Sequence, residues 1–504
     1  MTIDESGPLG GSRRSFLQTA ATGIFGSSLL GSAAATGIED QYRTVVDVTD
    51  AGADNTGTQS VSSDVQSLIG DDTLLKFPSG RYVMDEQVRL TGFENVGLVG
   101  ADATLVPADY DEFDGPQYRL FRLGVSYSPG KDIRVENFTV DQRGANTGIR
   151  AFEITASDGL LVRDVTIVGR HDSGTWGPAL FRITDSGGSG RVERFRAADG
   201  GAWETETPGS LWRGPTGILA AQIEGTLRFN DCVIDDFPDN GLYATGSGTV
   251  EVTGGAFHNS GTVNVRMDTD SGHITGSEFV VDDPSWYHRA QVPIRFQDGS
   301  WFDVQNVSIE LTQPNGDAIQ FKSGAGGGAI SDSTIEIRNE PATGVLVDPS
   351  AGPTYLDGVD IDIDASANAI RIEGDDDGEV IVQDGRISGG ASGQVLRHAI
   401  RCERDHCEFR GITMDQWGGS ERSGLALTGR DYMVYQCEFR TTDRPLTIAG
   451  DDVWVEDCYC NSYSAQESVL LGSTANSIRL KNNGFPDGIE DNGASEVLAT
   501  GTSY

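Results

Sequence analysis

An all-β solenoid is the fold this sequence predicts, and three observations predict it. Gly is abundant, at 66 of 504 residues, and helix-type periodicity is nearly absent. Short strings rich in β-branched residues alternate apolar and polar positions, among them IRVENFTV, LVRDVTIV, LRFNDCVI, FDVQNVSI and VIVQDGRI, which is the period of a half-buried strand. The strings also share one frame. Asn137, Asp164, Arg194, Asp231, Gly255, Ser277, Asn306, Asp332, Gly358, Asp384, Gly411, Gln436, Asp457 and Asn482 occupy equivalent places, 21 to 37 residues apart. They mark fourteen coils, each too small to bury its own face, so that neighbouring coils must supply the core.

Two columns set the frame. Two residues before the anchors stand Val135, Val162, Val192, Phe229, Thr253, Thr275, Val304 and Ile330, and three after stand Val140, Ile167, Ala197, Ile234, His258, Val280, Ile309 and Ile335. Alternation with a kink at the anchor points both columns inward. A second strand lies about eleven residues before the anchor and reads LFRIT, VNVRM, PIRFQ, AIQFK, GVLVD, AIRIE and AIRCE in seven of the coils.

The ends of the chain differ from its middle. SRRSFLQTAATGIFGSSLLGSAAATG pairs Arg13-Arg14 with Phe16-Leu17, a weakly apolar run and Ala33-Ala34-Ala35. It resembles a twin-arginine export signal over residues 1–35, which implies a secreted or cell-surface protein. The stretch from Val48 to Val83, VTDAGADNTGTQSVSSDVQSLIGDDTLLKFPSGRYV, is similar to the amino-terminal cap of pectate-lyase-like right-handed parallel β-helices. In that family a Gly-Ala turn and a polar stretch precede a capping helix, and an F-P-x-G-x-Y strand opens the first coil. The resemblance implies a single right-handed parallel β-helix with a cap helix near Gln59 to Ile69. The organisation expected is a cap and first coil over 36–105, the helix proper over 106–485, and a polar tail or C-terminal cap over 486–504.

Formal charge is −39, and Lys occurs only at Lys76, Lys131, Lys322 and Lys481. So acidic a surface excludes nucleic acid and anionic membrane as partners, and no segment after the N-terminal run is apolar enough to span a bilayer. The composition resembles that of proteins from salt-loving microbes, where molar salt shortens the Debye length to about 3 Å and screens self-repulsion.

Against this acidity, one outward column stands out: Arg122, Glu153, Arg182, Leu219, Tyr243, Arg266, Arg295, Gln320, Leu346, Arg371, Arg401. Two residues further on lie Asp268, Lys322, Asp348, Glu373 and Glu403. Two readings follow. A charge ladder pairs Arg266 with Asp268, Arg371 with Glu373 and Arg401 with Glu403. A groove for an acidic polysaccharide instead uses the Arg forks to match carboxylates or sulfates. Insertions along one edge of that face carry Trp176, Trp203, Trp212, Trp286 and Trp417, five of the seven Trp, placed either to stack on sugar rings or to pack their own loops.

If the protein is a polysaccharide lyase, Arg266 or Arg295 neutralises the uronate carboxylate while His288, Lys322 or Tyr243 shuttles the proton. If it is a glycoside hydrolase, two carboxylates drawn from Asp236, Asp239 and Asp268 flank the scissile bond. The substrate-binding set is Arg182, Trp203, Trp212, Tyr243, Trp286, Arg371 and Arg401. The G-H-G and R-I-K signatures of polygalacturonases, the W-I-D-H of pectate lyases and the alginate-epimerase element are absent. A non-catalytic carbohydrate-binding or structural surface protein would use the same face. No metal ligand set is assigned, and calcium is the one cofactor for which the acid-rich composition leaves room. The stretch AIRCERDHCEFRGI gathers Cys402, His406 and Cys407, but both thiols fall in inward columns, as core thiols or as a disulfide, rather than as metal ligands.

Overall fold

The computed structural model describes residues 37–113, 119–172, 176–207, 214–283, 290–374, 378–393, 397–419 and 421–504. The chain winds as a right-handed β-solenoid of about 16 turns, and every strand pair in the stack is parallel and one coil apart. Each coil contributes to three sheets. Sheet A holds the Arg-bearing strands, such as Arg150–Ala156, Ala179–Ile183 and Val292–Gly299. Sheet B holds the strands that precede the anchors, and sheet C those that follow. Lys131–Asp141 and Leu160–Val168 run through both B and C.

The anchors are the corner between B and C. At that corner the chain adopts a left-handed conformation, with φ 59° at Asn137, 54° at Asp164 and 52° at Asn306. Asn, Asp and Gly tolerate it because a short polar side chain or none relieves the Cβ clash. Every anchor has positive φ except Ser277, where the preceding Gly276 takes the role, and at Gly255 the preceding Gly254 shares it. The frame therefore slips by one residue in these two coils, which flips every side chain to the other face. Val252, Ile274, Phe257 and Phe279 fill the core there, not Thr253, Thr275, His258 and Val280. Phe257 pairs in register with Ile234 on one side and Phe279 on the other, and His258 turns outward to Asp235 at 3.1 Å.

The core is a set of stacked columns. Phe296 lies 4.4 Å from Phe302 and 5.1 Å from Phe321, centroid to centroid, and burying each such ring contributes about 2–3 kcal/mol. At the N-terminal end the helix Ser62–Leu68 lies across the core through Val61, Val65 and Ile69. Ile489–Asp491 and Ser495–Thr500 continue the stack on Val469–Leu471 and Asn476–Lys481. All six cysteines are free thiols, 0 to 3% exposed. No helix among the described residues is long and apolar enough to cross a membrane.

Candidate functional site

Parallel in-register strands about 4.8 Å apart bring one outward row of sheet A into a ladder. Tyr243, Arg266, Arg295 and Gln320 are four consecutive rungs, and Leu346, Arg371 and Arg401 follow. Arg182 is displaced from the expected column. Leu180 takes the rung between Glu153 and Leu219, and Arg182 stands one row further along the strand, beside Thr155. Period two keeps it on the same face.

Most cations on this face are tied to a carboxylate. Arg266 donates from Nη2 to Asp268 Oδ2 at 2.9 Å and from Nε to Oδ1 at 3.3 Å, and its guanidinium lies 4.7 Å over the Tyr243 ring. Tyr243 donates its hydroxyl to the same Asp268 Oδ2 at 2.9 Å. Burial, and then the Asp268 charge, push the Tyr243 phenol up to about 12. Lys322 Nζ sits 2.6 Å from Asp348 Oδ2. Arg371 pairs with Glu373 and Arg401 with Glu403, so the i,i+2 charge ladder read from the sequence is present at all three of its proposed pairs.

Two arginines break this pattern. Arg295 donates from Nε to the neutral Gln320 Oε1 at 2.8 Å, and Arg182 donates from Nε to the Ala221 carbonyl at 3.1 Å. Neither has a carboxylate within ion-pair distance among the described residues. Burial, then the Arg266 charge, lower the Arg295 pKa, and burial likewise lowers that of Arg182. Gln320 is held in turn by Asp317 Oδ2 at 2.7 Å. Asp317 was not singled out from the sequence, where it is one acid among 76; only the fold places it behind Arg295.

Of the proposed carboxylates, Asp268 and Asp239 both lie close enough to Tyr243 for their charges to act on its phenol. Asp268 is occupied by Arg266 and Tyr243. Asp239, four residues before Tyr243, accepts from Thr216 Oγ1 at 2.9 Å and Thr262 Oγ1 at 3.3 Å, and Asp236 lies beyond the Phe237-Pro238 turn. Trp176 and Trp417 are 47% and 55% exposed, and Trp203 is partly buried ahead of the short turn Glu204–Glu206. Trp212, Trp286 and His288 lie outside the described residues. Among the described residues, no group of three or more His, Cys, Asp and Glu is placed to hold a metal ion.

Fold and ladder together define a right-handed parallel β-solenoid with a mixed-charge outer face. No protein-family model matches the sequence, and no curated protein matches it. Among solved structures it is similar to PfbA, a surface adhesin of Streptococcus pneumoniae, at 14% identity and a TM-score of 0.46, over 77% of this chain and 93% of that one. It is similar to the A-module of an Azotobacter vinelandii mannuronan C-5 epimerase at 11% identity and a TM-score of 0.24, over 91% and 99%. It is similar as well to the catalytic unit of a Streptomyces thermodiastaticus α-1,3-glucanase at 14% identity and a TM-score of 0.32, over 91% and 69%. These likenesses are of fold, and a fold by itself does not fix a function.

Proposed function

We propose that the protein is a non-catalytic carbohydrate-binding protein of the cell surface or its surroundings, exported through its twin-arginine-like N-terminal segment, and that it holds an acidic glycan along sheet A. The observation that carries this reading is Arg295, half-buried and matched only to a neutral amide in a ladder where Arg266, Arg371 and Arg401 each have a carboxylate. A guanidinium without a counter-charge is ready for one supplied by a ligand. Two of the three groups that would move protons, His288 lying outside the described residues, are otherwise engaged: the Tyr243 phenol is raised and bound to Asp268, and Lys322 is paired with Asp348.

The test is binding of a panel of acidic and neutral polysaccharides to the folded protein, with Arg295→Gln and Arg401→Gln compared. One charge-assisted contact contributes about 1.5–3 kcal/mol, so Arg295→Gln is expected to weaken binding of the acidic glycan about 10- to 100-fold. Arg401→Gln is expected to change it less than threefold, since an exposed ion pair is worth about 0–1 kcal/mol. Equal losses at both positions would refute a specific Arg295 contact. Appearance of unsaturated uronate absorbance or new reducing ends would replace the binding protein by a lyase or a glycoside hydrolase acting on the same face.

A further inference from the structure

The amino-terminal end of sheet A concentrates cations in a way that the ladder above does not require. Arg89, Arg122 and Glu153 follow one another in register, and Arg119 stands directly opposite Arg150. Like charges facing each other on adjacent strands are destabilising unless something offsets them. Glu153 is the one carboxylate within ion-pair distance of any of these arginines among the described residues. It lies 2.5 Å from Arg119 Nε, 3.1 Å from Arg122 Nε and 2.8 Å from Arg150 Nη1. Arg182, on the next strand but one from Arg122, reaches only the Ala221 carbonyl, and Arg89 reaches only the Tyr127 hydroxyl at 3.3 Å through Nη2.

The cluster is also built rather than incidental. The Arg150 side chain is 2% exposed, its Nε donates to the Gly177 carbonyl at 3.3 Å, and its Nη2 is buried with no hydrogen-bond partner. A buried charge-bearing donor without a partner costs about 1–3 kcal/mol or more. A protein with 76 acidic residues against 37 basic ones nevertheless places one carboxylate here among the described residues.

We propose that this end of sheet A is an anion-binding subsite for a single sulfate or carboxylate group, contacted by the part-exposed Arg122 and Arg182, with Arg119 and Arg150 as fixed positive charge behind them, Glu153 holding the guanidiniums of Arg119, Arg122 and Arg150 in place and the Ala221 carbonyl holding that of Arg182. Guanidinium forks suit both anions, since each presents coplanar oxygen pairs to parallel N–H donors. Six strand spacings separate the rungs of Arg122 and Arg295, about 29 Å, so a long acidic glycan spans both while a small anion occupies one. The link to the glycan rests on the function proposed above; the anion chemistry of the subsite does not.

The experiment titrates inorganic sulfate and, separately, monomeric glucuronate into the folded full chain at constant ionic strength, reading thermal stability and heat of binding. Arg122→Gln and Arg182→Gln are compared with Arg228→Gln, an ion-paired arginine of sheet B, and circular dichroism checks that each variant is folded. Saturable binding of at least one probe, weakened tenfold or more by Arg122→Gln and by Arg182→Gln but not by Arg228→Gln, is the expected result. A stability rise linear in sulfate and equal in all four proteins is solvent exclusion from the protein surface and overturns the proposal, as does saturable binding indifferent to both substitutions. Saturable sulfate or glucuronate binding without any polysaccharide binding would keep the subsite and remove the glycan function. Polysaccharide binding sensitive to Arg295→Gln yet untouched by Arg122→Gln and Arg182→Gln would keep the function and remove the subsite.

Discussion

Replacing Arg404 with Met should open the solenoid locally, because this side chain is a buried clamp between coils. Arg404 lies between Cys402 and Cys407, is 0% exposed, and turns inward beneath the two preceding coils. Its Nη1 donates to the Ala351 carbonyl at 2.8 Å, its Nη2 to the Asp348 carbonyl at 2.6 Å, and its Nε to the Glu373 carbonyl at 3.3 Å. Both thiols in turn donate to the Arg404 carbonyl, at 3.6 Å and 3.5 Å. Asp348 retains the Ala351 amide at 3.1 Å after the substitution, but the Ala351 and Glu373 carbonyls lose the donors they have. Each orphaned carbonyl costs about 1–3 kcal/mol, and Met fills most of the volume, so the expected loss is about 2–6 kcal/mol. In a repeat array such a loss is felt by neighbouring coils rather than by the whole chain. Amide hydrogen exchange across 345–347, 370–372 and 398–402 should therefore quicken at least about 30-fold, the equivalent of 2 kcal/mol, while 131–141 stays unchanged. Unaltered exchange in all three strands would refute the clamp.

Two further outcomes concern pH and salt. Burial, and then the Arg150 charge, hold His171 down to about 3, against about 6.5 in an unfolded chain. Below pH 6.5 the unfolded state therefore takes up a proton that the folded state refuses. Stability from this group is complete above pH 6.5 and declines as pH falls toward about 3, by about 2 kcal/mol at pH 5. His171→Gln should flatten the difference between pH 7 and pH 5 in urea titrations; a parallel pH dependence in both proteins would contradict the assignment. On sheet C, Glu310, Glu336 and Asp362 are stacked in register, with Arg338 reaching Glu336 at 3.6 Å, Asp362 at 2.5 Å and Asp364 at 3.2 Å. Arg338→Gln, which removes the cation shared by these acids, should lower the melting temperature in 0.1 M salt, where the Debye length is about 10 Å, and have less effect at 1 M, where it is about 3 Å. A loss independent of salt would mean that repulsion is not the cause.

The period-two pattern made the faces legible, because a strand in a solenoid has one side toward the core and the alternation of strings such as IRVEN can be satisfied in one way only. It also made the B–C corner legible, since Asn, Asp and Gly recur where a left-handed residue is needed. It could not choose between Gly254 and Gly255, as both tolerate that conformation, and so His258 was assigned inward and is found outward. It kept Arg182 on the correct face and put it in the wrong row, because face depends on parity whereas row depends on how each loop sets the register of the next strand. The pairing of Arg266, Arg371 and Arg401 with acids two residues away was readable within each strand. That Arg295 has only Gln320, that one Glu153 serves Arg119, Arg122 and Arg150, and that Arg404 turns inward were not. Apart from Arg150 with Glu153 in the same strand, these depend on neighbours 25 to 56 residues away, which meet only when coils stack. The sequence by itself determined the architecture and the ion pairs made within a strand, through local alternation repeated once per coil; the tertiary structure decided which of the remaining charges are neutralised, because that neutralisation is a contact between coils and has no local signature.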